Sequence, residues 1–220
     1  MIRRRPVLIA LMLMSFAGTA WGSPVTPVTP ALSAGDQALV DQAAHYLNGL
    51  TSAEGRFVQT DAAGRKASGA FWIQRPGRAR FDYDAPSGLA MASDGRLVSV
   101  VNHRLKTIQS YPLGMTPLSI FLAKDVHFTG NVVVRQVKAS ANALTIEAAD
   151  RRAPSRGRVS LIFAREPLAL TGWSLTDARG QTVDVAITKL ERSAPRPKAF
   201  FDIYDPSLHG PRPGETTPLD

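Results

Sequence analysis

Apolar residues follow a helical spacing over one long stretch of this chain; elsewhere they alternate or gather in short runs. Leu39, Val40, Ala43, Leu47 and Leu50 recur at three- and four-residue steps, which puts them on one face of a helix. Ser33 with Asp36 three residues on supplies an N-terminal capping pair, and Asn48-Gly49 a stop, so the pattern predicts a helix over 34–50. After it, the segments 56–60, 67–74, 78–83, 89–92, 97–102, 132–138, 144–148, 158–163, 169–177 and 182–190 read as strands. Each is short and bounded by turn residues, and all but 89–92 carry aromatic or β-branched residues. Gly64, Pro76-Gly77, Ala85-Pro86-Ser87-Gly88 and Ser93-Asp94-Gly95 mark turns, and Asp94-Gly95 between two apolar strands is the strongest hairpin cue. The run 117–123 (PLSIFLA) breaks the rhythm, with a proline at a first helical position followed by an apolar turn or two.

One helix followed by ten or so antiparallel strands predicts an α+β fold, mainly β. It is a strongly curved antiparallel sheet, an incomplete β-barrel, with helices covering the concave face. Where the helices leave that concavity unfilled, an apolar cavity results.

The first residues set the compartment. Arg3, Arg4 and Arg5 precede an apolar run over 7–17, which gives way to small and polar residues over 18–23. This is the pattern of a secretory signal peptide, and the run is about half of the ~20 residues that span a bilayer as a helix. Cleavage after Gly22 or Ala20 fits the small-residue rule. The expected organisation is a signal peptide over 1–22, a Pro/Thr-rich spacer over 23–32 (the Pro/Thr run SPVTPVTP), one domain over 33–206, and an irregular tail over 207–220. The mature chain is expected to be soluble in the periplasm and monomeric.

The chain has no cysteine, which excludes disulfides, a thiol nucleophile, thiolate metal ligands and lipidation of the protein itself. Its formal charge is +8, from 26 Lys+Arg against 18 Asp+Glu; without the three leader arginines the balance is +5. A basic exported protein meets phospholipid headgroups, lipopolysaccharide phosphates or acidic partner surfaces, and nucleic acid is not an expected partner. Catalytic and metal motifs are missing. His45, His103, His127 and His209 show no zinc-ligand spacing, and there is no Gly-x-Ser-x-Gly elbow or phosphate-binding Gly-rich loop. Asp82 and Asp84 do not begin a calcium loop, because Pro86 occupies the next ligand position and Ser93 the twelfth. The basic run 151–158 (RRAPSRGR) could cradle a phosphate but reads better as a solvated hairpin. No cofactor, metal or enzymatic activity is expected.

The segment 69–86 (GAFWIQRPGRARFDYDAP), followed by Ser93-Asp94-Gly95, resembles the signature of the LolA family of outer-membrane lipoprotein carriers. In that family a Gly-x-Φ-Trp-Φ-x-Arg-Pro strand and turn leads to an aromatic strand, an x-x-Pro turn and a Ser-Asp-Gly hairpin. Phe57-Val58-Gln59 resembles the family's first strand, and 200–206 (FFDIYDP) its closing aromatic strand. The ordered motifs run over about 33–105.

On a strand Phe71, Ile73 and Arg75 share one face, as do Ala79, Phe81 and Tyr83 on the next. From the residues alone, Arg75 either snorkels to water at the strand end or is covered and must find acceptors. Likewise Ala79, Phe81 and Tyr83 are either ordinary core or cavity lining, and so are Met91 and the 117–123 turn. The resemblance implies the second reading of each. Arg75 becomes a latch that bonds carbonyls of the covering helix region, and Phe57, Phe71, Ile73, Ala79, Phe81, Tyr83, Met91, Leu118 and Phe121 become the lining of a lipid-binding cavity and its lid. It also implies acylated lipoproteins as cargo, an inner-membrane ABC lipoprotein-releasing transporter as donor, and an acceptor at the outer membrane. A carrier of another amphiphile, such as a glycolipid or phospholipid, and a periplasmic lipoprotein-sensing module are the alternatives. The chain departs from the family in having alanine at position 79, where many relatives carry a bulky apolar residue. It also has Leu97-Val98-Ser99-Val100-Val101 after the Ser-Asp-Gly, where the family favours aromatics.

Overall fold

The computed structural model describes residues 32–203. The expected signal peptide, most of the spacer and the chain from 204 on, including the expected tail, lie outside the described residues. Helix α1 (Ala34–Gly49) starts as the pattern predicts: the Ser33 hydroxyl accepts from the Asp36 amide at 3.0 Å and donates to its carboxylate at 2.8 Å. Val40, Ala43 and Leu47 on its apolar face are buried.

Eleven strands follow. They are β1 (Ser52–Thr60), β2 (Lys66–Gln74), β3 (Arg78–Tyr83), β4 (Leu89–Asp94), β5 (Leu97–Asn102), β6 (Thr107–Pro112), β7 (Val132–Ala139), β8 (Ala143–Asp150), β9 (Arg158–Arg165), β10 (Leu168–Thr176) and β11 (Thr182–Arg192). They form one antiparallel sheet in the order β6-β5-β4-β3-β2-β1-β11-β10-β9-β8-β7. The chain thus builds two meandering wings, joined where β1 pairs with β11. The sheet stays open between β6 and β7, and the segment between those strands holds a short helix, α2 (Leu118–Phe121).

The curvature follows from aromatic contacts across the sheet. β3 and β10 are four strand spacings apart, which is ~19 Å in a flat sheet. Yet the rings of Phe81 on β3 and Trp173 on β10 lie 5.9 Å apart, centroid to centroid. Trp173 also meets Phe71 of β2 at 6.3 Å. Only a sheet curled round its inner face brings these side chains together. Two glycines make room for the rings on β1 and β2. Phe57 is paired with Gly69, where a Cβ would sit 2.7 Å from the Phe57 ring and against the Asp82 carbonyl. At Gly55, opposite Phe71, a Cβ would meet that ring at 2.9 Å.

The inner face carries the core. Val40, Ala43 and Leu47 of α1, Leu118, Ile120 and Phe121 of α2, and the inward residues of both wings form one apolar core. The α2 segment reaches into this core, and the residues after it (Leu122, Val126, Phe128) are themselves apolar and buried there.

Two further differences from the sequence expectation have physical causes. β6 was not expected, since TIQSYP has no apolar alternation; it is an edge strand with mostly exposed side chains. The expected closing aromatic strand at 200–206 is instead a single 3₁₀ turn over Lys198–Phe201, and Asp202 and Ile203 carry no strand. Pro195 and Pro197 lack the amides a ladder needs. Phe200 and Phe201 pack instead on the outer face, where Phe200 meets Trp72 edge-on at 5.1 Å and lies beneath the Arg80 guanidinium.

Candidate functional site

The site is the seam where the end of β2, the end of α1 and the α2 segment converge. β2 alternates, so Phe71 and Ile73 point inward and the next inward position is Arg75. Its backbone amide donates to the Thr51 carbonyl at 2.8 Å, which fixes the strand end directly beneath the C-terminus of α1. There Arg75 is only 8% exposed, the only charged residue buried among the described residues. Its Nη1 donates to the Leu47 carbonyl of α1 at 2.6 Å, and its Cζ lies 5.3 Å from the centre of the Phe121 ring of α2. Nε and Nη2 are buried without any acceptor. Burial pulls the guanidinium down to about 10. One cation thus touches both covering helices with a single bond made and two donors unmade.

Neighbouring bonds complete the seam. The Asn48 side chain clasps Val126, donating to its carbonyl at 3.2 Å and accepting from its amide at 2.7 Å. The Gly77 amide, just beyond Arg75-Pro76, donates to the Leu122 carbonyl at 2.8 Å, and the Ser93 hydroxyl holds the Gly77 carbonyl at 2.6 Å. Polar contacts at the rim hold the α2 segment against an apolar interior that offers it none.

The structure brings the expected residues together. Phe57, Phe71 and Phe81 form a ring cluster, with Phe57–Phe81 at 5.5 Å and Phe71–Phe81 stacked at 5.9 Å. Ile73 and Ala79 are cross-strand partners, as are Phe81 and Met91. Tyr83 lies against Phe57 at 5.1 Å and donates its hydroxyl to Gln59 at 2.6 Å; burial raises that phenol to about 12, so it stays neutral. Leu118 and Phe121 are buried on α2. The alanine at 79 leaves the inward position on β3 small.

Sequence reasoning missed three participants. Trp173 stacks on Phe121 at 5.6 Å and joins the two wings; Asn48 was read only as a helix stop, and Gly77 only as a turn. A bulge between Leu170 and Gly172 hides the first from the two-residue alternation, and 78 residues separate Asn48 from its partner. A pocket of about 660 Å³ lies on the exposed side of α1, lined by Asp41, Gln42, His45, Tyr46, Gly49, Leu168 and Arg192. It shares no residue with the seam.

Asn48→Ala tests the clasp. It leaves the Val126 amide and carbonyl unpaired at a half-buried site, which costs about 1–3 kcal/mol. Native-state hydrogen exchange should show the Val126 and Leu122 amides exchanging faster while the β1–β2 amides keep their protection. Uniformly faster exchange would mean the clasp supports the whole fold and not the α2 segment.

Fold and site together define an open, curled single-sheet barrel whose apolar interior is plugged by a short segment fastened at one seam. The family model "Outer membrane lipoprotein carrier protein LolA" matches residues 48–204, and the chain belongs to the LolA family. It is 24% identical over 192 residues to an outer-membrane lipoprotein carrier protein of Ralstonia nicotianae, covering 80% of this chain and 88% of that one. A carrier protein of the same name from Alkalilimnicola ehrlichii is 39% identical over 70 residues, a match spanning 30% of this chain and 33% of that protein. Among solved structures, a LolA superfamily protein from Nitrosomonas europaea is 12% identical, with a TM-score of 0.46, covering 76% of this chain and 97% of that one.

Proposed function

We propose that this protein is a periplasmic carrier that takes acyl chains of lipoproteins into its inner face and carries them from the inner to the outer membrane, performing no covalent chemistry. In this reading an inner-membrane ABC transporter hands over the cargo and a protein or the outer membrane itself receives it. The single observation that carries the proposal is the seam: an apolar interior occupied by a short segment of the chain itself, held there by a few polar bonds and an arginine with two donors unmet. Family membership supports the same reading, since the two relatives compared above are named as lipoprotein carriers.

The energetics favour such a plug. Burying acyl chain gains about 0.8 kcal/mol per methylene, so a chain of about sixteen carbons approaches ~12 kcal/mol gross. Cargo with two or three chains would not leave a perfectly complementary pocket. A protein whose own Phe121, Leu118 and Leu122 compete for the interior subtracts their burial from the grip. Release is then an exchange of one apolar filling for another, and α2 and the cargo exclude each other.

The test uses the mature chain and proteoliposomes carrying a labelled triacylated lipoprotein, loaded with a lipoprotein-releasing transporter. The expected result is a soluble one-to-one complex of this protein with the lipoprotein. A folded protein that yields no complex, while lipid mass spectrometry finds a glycolipid or phospholipid in it, would move the reading to a carrier of that amphiphile.

A further inference from the structure

The basic run 151–158, which the carrier mechanism does not use, is brought by the fold to a second unused feature. Leu97 and Met115 are two of the three large apolar side chains exposed among the described residues, at 43% and 42%. They belong to one corner: Leu97 is the cross-strand partner of Pro112, the Leu113 amide donates to the Arg96 carbonyl at 2.8 Å, and Met115 ends the 3₁₀ turn Leu113–Met115 that leads into α2. The β8–β9 loop reaches this corner from the opposite wing, with the Arg156 guanidinium 3.5 Å from the Gly114 carbonyl.

The corner is cationic. Arg96, Arg151, Arg152 and Arg156 are all exposed, and no ion pair to a carboxylate of the described residues is found for any of them. Two aspartates stand beside them and offset part of the charge. Asp94 accepts from the Arg96 and Leu97 amides at 2.7 and 2.8 Å, and Asp150 from the Arg152 amide at 2.8 Å. Four guanidinium groups against two carboxylates leave this end of the sheet net positive beside two exposed apolar side chains.

We propose that this corner is a docking surface for an anionic phospholipid bilayer. Isolated apolar side chains at a strand start and a 3₁₀ turn, with exposed arginines beside them, match the interface of a membrane, where side chains enter the headgroup boundary and cations stay at phosphate level. A protein partner would need a matching concave acidic face, whereas headgroups conform to the corner as it stands. The site adjoins the entry to α2, so docking would set the plugged opening against the lipid. It does not depend on what the interior carries.

The experiment measures co-sedimentation of the cargo-free chain lacking residues 1–22, all of which lie outside the described fold. Phosphatidylcholine vesicles are compared with the same vesicles containing phosphatidylglycerol, at low and physiological salt. Binding is expected only with phosphatidylglycerol, weakening as salt rises. Each arginine near such a surface is worth roughly fivefold in affinity, so Arg151→Glu with Arg152→Glu should weaken binding by more than tenfold. Leu97→Ser with Met115→Ser should weaken it further at physiological salt. The control pair Lys66→Glu with Lys138→Glu changes net charge equally at exposed positions away from the corner and should leave most of the binding. Equal loss in the control pair, equal binding to both vesicle types, or no binding at all would each overturn the proposal. In the last case an acidic protein partner becomes the reading for the corner. Circular dichroism of each variant confirms that these exposed changes leave the fold intact.

Discussion

Arg75→Leu is expected to fold with undiminished stability, to take up an acylated lipoprotein, and to release it about ten- to a hundredfold more slowly than the parent. The closed seam explains both halves. The bond from Nη1 to the Leu47 carbonyl is charge-assisted and worth about 1.5–3 kcal/mol. Nε and Nη2, buried without acceptors, each cost about 1–3 kcal/mol. Together the two unmet donors cost about 2–6 kcal/mol, as much as the bond supplies or more, so the arginine holds the plug only weakly. Replacing a buried charge by an apolar side chain of similar size is often neutral or stabilising, and the urea midpoint should stay level or rise. In the loaded state the balance changes. Acyl chains offer the guanidinium no acceptor at all, whereas a leucine at that position gains about 1.5–3 kcal/mol from burial against them. The substitution therefore stabilises the loaded state over the closed one, a bistable element biased towards its ligand. The measurement is the rate at which labelled lipoprotein leaves the purified complex for acceptor vesicles. Arg75→Lys, which keeps a charge able to reach Leu47, should stay within a few-fold of the parent. An unaltered release rate for Arg75→Leu would remove the latch from the mechanism.

Most of this site could be read in the sequence because strands alternate reliably. Phe71 and Ile73 face inward with Arg75 next in line, and Phe81 and Tyr83 follow the same rule on β3. The cap at Ser33 and the turn at Asp94-Gly95, where Gly95 has a φ of 103°, are local chemistry and came out as expected. Arg75 itself had two possible placements. The choice between them is a tertiary fact, made by the Thr51 bond that sets the strand end under α1. Trp173 was hidden for a different reason. Leu170 and Trp173 are both buried though three residues apart, which a regular strand would place on opposite faces. A bulge between Leu170 and Gly172 resets the alternation. Phe200 and Phe201 looked like strand residues, but the prolines beside them leave an outer-face packing role.

Trp173→Ala is expected to be the most destabilising single change among the site residues, at about 3–5 kcal/mol. The reason is position more than size. Its ring touches Phe71 and Phe81 from one wing and Phe121 from the plug, and is itself 3% exposed on the other wing. Nothing else in the described aromatic cluster spans from β10 to β3, so the cavity left by alanine falls where the curled sheet has least freedom to collapse. Phe121 also loses its stacking partner, so the plug and the fold weaken together, in contrast to Asn48→Ala. Urea unfolding followed by circular dichroism gives the loss in stability, and hydrogen exchange at Leu122 shows whether the plug loosens with it. Trp173→Phe keeps an aromatic face towards Phe121 and should recover more than half of the loss. Trp72→Ala is the comparison: its ring lies on the outer face against Phe200, only half-buried, and its removal leaves the interior untouched. A loss at Trp173 no larger than that at Trp72 would mean that the wings are held by the β1–β11 ladder alone. The aromatic cluster would then be filling, free to be displaced by cargo at little cost to the fold.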